Sequence, residues 1–126
     1  MTVHEYKQSA NKQSKYRNKK VVVPGIGTFD STKEYNHFCE LRALERLGVI
    51  TGLKRQVRYE ILGLQDTLEG KVLEKPVYYI ADFVYERNGE TVVEDVKGYK
   101  KGAAYSLFAI KRKLMLNMHG IRVVEV

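Results

Sequence analysis

Asp82, Asp95 and Lys97 are the residues whose types and spacing first suggest chemistry. They flank Asn88-Gly89, a dipeptide that favours a two-residue type I′ hairpin turn because both turn positions need positive φ. If Arg87 faces Glu90 across that turn, the numbers of every facing pair add to 177 and Asp82 stands opposite Asp95. Directly opposed side chains leave the same sheet face with Cβ atoms about 4.5–5.5 Å apart, a separation at which two carboxylates repel. Lys97 lies two residues beyond Asp95, so it points to that face about 6.8 Å further along, opposite Ile80. Ile80, Val84 and Val93 frame the three charges, an arrangement that is costly unless the charges are paired or hold a cation. Two carboxylates at this spacing suit Mg²⁺, with Mn²⁺ as a substitute, because such ions accept carboxylates together with water and substrate phosphate. An adjacent lysine can orient or deprotonate an attacking water and stabilise the charge that develops at phosphorus. The same residues also suit a purely structural bridge in which Lys97 joins two aspartates.

Glu34 is a third carboxylate for this patch. It precedes Phe38 by four residues and Leu41 by seven, so it continues the face of its helix that packs on the sheet. Ser31 and Glu34 also have capping-box spacing, and the sequence supports a cap as well as a metal ligand. Glu40 points off that face. His37 reads as a partly exposed helix residue, and a lone histidine supports no triad or histidine-metal chemistry. Gln56 falls on the polar face of its strand and reads as solvated, although an amide there could touch a metal-bound water or DNA.

The elements that must position these groups follow from periodicity and turn chemistry. Val21 to Val23 and Thr28-Phe29 form a short hairpin around Pro24-Gly25-Ile26-Gly27. Tyr35, Phe38, Leu41 and Leu44 predict a first helix over about 32–47, closed by Gly48. Residues 54–61 alternate as a half-buried strand, and a polar link runs from Gly63 to Pro76. The segment VYYIADFVY and the segment TVVEDVK are the two arms of the hairpin. A second helix spans 103–118, and a final apolar run, Ile121 to Val126, supplies a strand parallel to the 91–97 strand after a crossover. The expected fold is α/β, with a core of order αβββαβ, a mixed central sheet flanked by helices, and a short N-terminal hairpin.

Length and charge set the frame. The 126 residues and 14.5 kDa fill one domain, which predicts a basic arm over 1–19 and a folded unit over 20–126. Hydrophobic residues are 44% and charged residues 29%, a globular composition without a membrane-spanning run or a secretory leader, so an intracellular, cytoplasmic protein with no membrane partner is expected. Cys39 with the scattered His4, His37 and His119 excludes disulfide scaffolds and zinc fingers of ordinary spacing. Net charge is +5 over residues 1–20, −4 over 21–96 and +6 over 97–126. Basic ends attract a polyanion, while an acidic middle weakens that attraction unless cations neutralise it. Candidate phosphate contacts are Lys15, Arg17, Lys19 and Lys20 on the arm, with Lys100, Lys101, Lys111, Arg112 and Lys113 near the C-terminus.

The order of elements, with Glu34 on the first helix, Asp82 on the second core strand and Asp95-Val96-Lys97 on the third, resembles the PD-(D/E)xK, restriction-endonuclease-like nucleases. The segments KYRNKKVVV, FDSTKE, YIADFVY, VVEDVKG and GIRVVEV are similar to a family of small phage-encoded proteins within that superfamily. The resemblance covers about residues 15–126. Its departures are Ala81 in place of the motif's proline, a Pro24–Gly27 turn one residue longer than usual, and Val57 where a proline would follow the glutamine. It implies a Mg²⁺-dependent endonuclease in which Glu34, Asp82 and Asp95 hold metal and Lys97 assists the nucleophile. The expected substrate is branched or structured phage DNA, cut in the manner of a Holliday-junction resolvase by a homodimer in the host cytoplasm. A non-catalytic DNA-binding or recombination accessory protein on the same fold is the alternative, as is a nuclease for single-stranded or flap DNA or for RNA.

Overall fold

A computed structural model describes residues 19–126. Lys15 and Arg17, and all but the last residue of the 1–19 arm, lie outside the described residues. The chain runs β1 (Val21–Val23), β2 (Gly27–Phe29), α1 (Thr32–Arg46), β3 (Thr51–Leu62), β4 (Gln65–Asp66) and β5 (Val72–Glu74). It continues through β6 (Val77–Arg87), β7 (Glu90–Asp95), α2 (Ala103–His119) and β8 (Val124–Glu125). Among the described residues the architecture is α/β: a four-stranded mixed sheet of order β3-β6-β7-β8, antiparallel at its first two junctions and parallel at β7-β8, with two helices.

The hairpin register is the one read from Asn88-Gly89. Asn88 and Gly89 have φ of 53° and 78°, and Phe83 faces Glu94 just as Arg87 faces Glu90. β8 then pairs beside β7, and its ladder carries past the strand end: the Val126 amide donates to the Asp95 carbonyl and the Lys97 amide donates to the Val126 carbonyl. The backbone on both sides of Val96 is therefore pinned, which fixes where Asp95 and Lys97 start.

Helix α1 begins at the Ser31 N-cap, whose hydroxyl accepts from the Glu34 amide at 3.0 Å. It ends in a Schellman arrangement, with Gly48 at φ 77° donating to the Glu45 carbonyl and Val49 donating to that of Leu44. The polar link before Pro76 holds a small hairpin, β4 with β5, that hydrophobic alternation does not reveal because its strands are only two and three residues long and fully exposed. Two apolar clusters cover the sheet. Phe29, Phe38, Leu41, Ile50, Phe83 and Tyr85 pack around α1, and Tyr79, Ala81, Val84, Val93, Phe108 and Met115 pack around α2. Phe83 and Tyr85 face α1 and Val84 faces α2, as strand alternation requires, yet Tyr79 and Ala81 also join the α2 cluster. β6 thus changes its packing partner between Ala81 and Phe83, and Asp82 sits at the changeover.

Candidate active site

Glu34 is 2% exposed and takes part in the helix cap that its spacing to Ser31 predicts. One carboxylate oxygen, Oε2, accepts from the Asp30 amide at 2.8 Å, closing the cap. The other, Oε1, lies 3.3 Å from Gln56 Nε2 and 4.0 Å from an Arg55 guanidinium nitrogen. Burial pushes the Glu34 carboxyl above the usual range, and the Asp30 amide and Arg55 only partly offset this.

Asp82 is half-buried. Its Oδ2 accepts from the Val96 amide at 2.8 Å, and its Oδ1 is 3.3 Å from the same Gln56 amide nitrogen. Two carboxylate oxygens on different elements therefore converge on one side-chain amide. Burial pushes the Asp82 carboxyl up to about 7, helped by the negative charges of Asp95 and Glu34 and opposed by the Val96 amide and Gln56.

Asp95, buried, accepts from the Tyr79 hydroxyl at 2.7 Å on Oδ2 and pairs with Lys97 Nζ at 2.8 Å on Oδ1. Burial and the Asp95 charge hold the Tyr79 phenol far above its usual range, so it remains a donor. The Lys97 ammonium also lies 3.9 Å from the centre of the Phe108 ring. The bridge of two aspartates through Lys97 is not formed: Lys97 pairs with Asp95, and Asp82 is served by Val96 and Gln56. The expected apolar frame is also incomplete, since Val84 and Val93 are buried but Ile80 is 52% exposed at the rim.

Gln56, which the sequence places on the solvent face of its strand, is exposed but holds two carboxylates. It stands in β3 between the Arg55–Phe83 and Val57–Ala81 pairs, so it faces Asp82 across the ladder. Its φ of 53° is left-handed, which for a non-glycine residue costs about 1–2 kcal/mol. In that conformation its amide lies 3.3 Å from both Glu34 and Asp82. His37 is more engaged than its helix position suggests, contacting Glu94 at 2.8 Å and Glu40 at 3.6 Å. Glu94 in turn accepts from the Tyr85 hydroxyl, which ties α1 to the sheet away from the three carboxylates.

A family described as protein of unknown function, DUF1064, matches residues 13–123. The chain belongs to that family. No curated protein and no solved structure matches it. The DUF1064 match spans Glu34, Gln56, Asp82, Asp95 and Lys97, so the whole constellation lies inside the family's domain.

Among the described residues, no three Asp, Glu, His or Cys side chains form a group ready to hold a metal on their own. Glu34 and Asp82 nevertheless suit an ion such as Mg²⁺, which takes one or two carboxylates and fills its remaining positions with water and phosphate.

Of the basic residues singled out, Lys19, Lys20, Lys100, Lys101 and Lys113 are exposed, and Lys111 and Arg112 are half-buried on α2. Lys100, Arg112 and Lys113 line a basic cleft of about 560 Å³ with Arg122, which the charge pattern did not single out. Arg112 is there 3.8 Å from Glu125. Lys111 lines a different, smaller cleft beside Asp95 and Lys97. No helix among the described residues is long and apolar enough to cross a membrane.

Proposed function

We propose that this DUF1064 chain is a metal-dependent endonuclease of the PD-(D/E)xK kind, hydrolysing phosphodiester bonds in branched or structured DNA. The observation that carries the reading is the convergence of Glu34 and Asp82 on the Gln56 amide, beside the Asp95–Lys97 pair. Glu34 and Asp82 would hold Mg²⁺ or Mn²⁺, which supplies Lewis-acid stabilisation of the charge that builds on the phosphate; Asp95, expected as a third ligand, has both oxygens engaged by Tyr79 and Lys97 and positions Lys97 instead. Gln56 fixes the two carboxylates in place through a strained backbone, and strain of this kind collects at functional sites. Lys97, aimed by Asp95 and by the Phe108 ring, donates a hydrogen bond to the attacking water or to a phosphate oxygen. Basic groups on α2 and after β7 contact phosphates without reading bases, which suits recognition by shape. Symmetric cutting of a junction calls for a two-fold dimer.

A panel of labelled four-way junction, flap, duplex and single-stranded substrates, with Mg²⁺, Mn²⁺ or EDTA, tests the proposal. Metal-dependent cleavage of a branched substrate supports it. Tight binding with no cleavage in either metal favours a DNA-binding protein on the same fold, a reading encouraged by Lys97 already being bonded to Asp95.

A further inference from the structure

We propose that the cleft between β6 and α2 receives one unpaired nucleobase next to the phosphate being cut, which makes unpaired or branched DNA the substrate class. The inference rests on the nucleic-acid reading of the adjoining carboxylate site. The cleft has a volume of about 280 Å³ and opens directly beside Asp95 and Lys97. That is at the lower edge of the roughly 300–1,000 Å³ of ordinary small-molecule pockets, room for one ring system rather than an extended ligand. Its walls are aromatic and aliphatic: Tyr78, Ile80, Leu107 and Phe108. Ile80 and Leu107 are 52% and 54% exposed, so a planar apolar face has surface to cover. Arg58 lies 3.5 Å from the centre of the Tyr78 ring, which gives one wall a stacked, cationic backing.

Lys111, together with Lys97, which is paired with Asp95 in the same lining, favours an occupant that is part of a phosphodiester chain. Lys97 lies at the carboxylate end of the cleft, and Lys111 adds a second ammonium to its lining from α2. A ligand that places one phosphate at Lys97 carries its own base within reach of the apolar walls, and Lys111 is available to a neighbouring phosphate. In continuous duplex both faces of every base are covered by stacking, so only a base that is unpaired or extruded can enter. Selectivity for irregular DNA then arises at the site itself, without a separate recognition module.

The test compares binding of two labelled duplexes, in EDTA, by fluorescence anisotropy. They are identical except that one carries a single unpaired 2-aminopurine, whose emission reports its surroundings. Stacking of one base predicts about five- to 150-fold tighter binding of the interrupted duplex, with a change in 2-aminopurine emission. In Ile80→Ser and Leu107→Ser, each verified as folded by its thermal melt, the ratio of affinities should fall towards one. Equal affinities in the wild type, or a ratio retained by both variants, would overturn the inference. So would loss of a dimer in Ile80→Ser with no base preference in the wild type, because a second copy would then cover the cleft. Cleavage of the same duplexes in Mg²⁺ separates the two readings. Cleavage without preference removes the base cleft and leaves the nuclease, whereas preference without cleavage keeps the cleft and removes the hydrolytic role.

Discussion

Replacing Asp82 by asparagine should raise stability above neutral pH and abolish the stabilising effect of divalent metal. In the fold the Asp82 carboxyl is pushed to about 7, against an ordinary 3.8. Between those values the native state holds a proton that the unfolded chain has released, so stability declines as pH rises from about 4 to 7. About three pH units at 1.36 kcal/mol each give about 4 kcal/mol, which solvent screening at this half-buried site reduces to roughly 2–4 kcal/mol. Asparagine keeps an oxygen for the Val96 amide and removes the charge. In EDTA at pH 8 the variant should therefore melt roughly 8–16 °C above wild type, taking about 4 °C per kcal/mol for a domain of this size. Near pH 4.5 the gap should nearly close. Saturating Mn²⁺, at about 100 times its dissociation constant, should stabilise wild type by about 2.7 kcal/mol and the variant by little. Melts of both proteins from pH 4.5 to 8, with EDTA and with Mn²⁺, check each part. Parallel pH profiles, or a variant less stable than wild type at pH 8, would refute the electrostatic reasoning.

The other expectations are narrower. Gln56→Gly should be more stable than Gln56→Ala by about 1 kcal/mol in chemical denaturation, since only glycine relieves the left-handed backbone, and both should lose metal affinity in calorimetry. Glu34→Gln keeps an acceptor for the Asp30 amide and should fold normally yet cleave roughly 100-fold more slowly or worse, whereas Glu34→Ala should also lose about 1–2 kcal/mol of stability. Removing residues 1–19, which carry five Lys and Arg, should flatten the salt dependence of DNA binding by about 0.9 for each phosphate that the arm neutralises, read from the log-log slope.

Much of the site was legible because it depends on local rules. Asn88-Gly89 fixes the β6-β7 register, and with it the approach of Asp82 to the Val96 amide next to Asp95, because positive φ at two successive positions is a requirement few dipeptides meet. The burial of Glu34 followed from its spacing to Phe38 and Leu41. Gln56 could not be read in the same way. Alternation along β3 assigns it to solvent, and nothing in the local sequence signals its left-handed backbone or its contacts to Glu34 and Asp82. The Tyr79–Asp95 bond was hidden for a related reason, since a regular strand puts Tyr79 on the face opposite to Asp82 and only the changeover near Ala81 brings it to Asp95. The two-part satisfaction of Lys97 and Asp82 likewise depends on β8 holding Val96 where its amide meets Asp82.

The most direct measurement of the central claim is the rate at which wild type, Asp82→Asn and Lys97→Ala cleave a four-way junction under single-turnover conditions, in Mg²⁺, in Mn²⁺ and in EDTA. Cleavage by wild type in either metal, none in EDTA, and a fall of roughly 100-fold or more in both folded variants is the result predicted. Cleavage that persists in EDTA, or that survives unchanged in either variant, would contradict it.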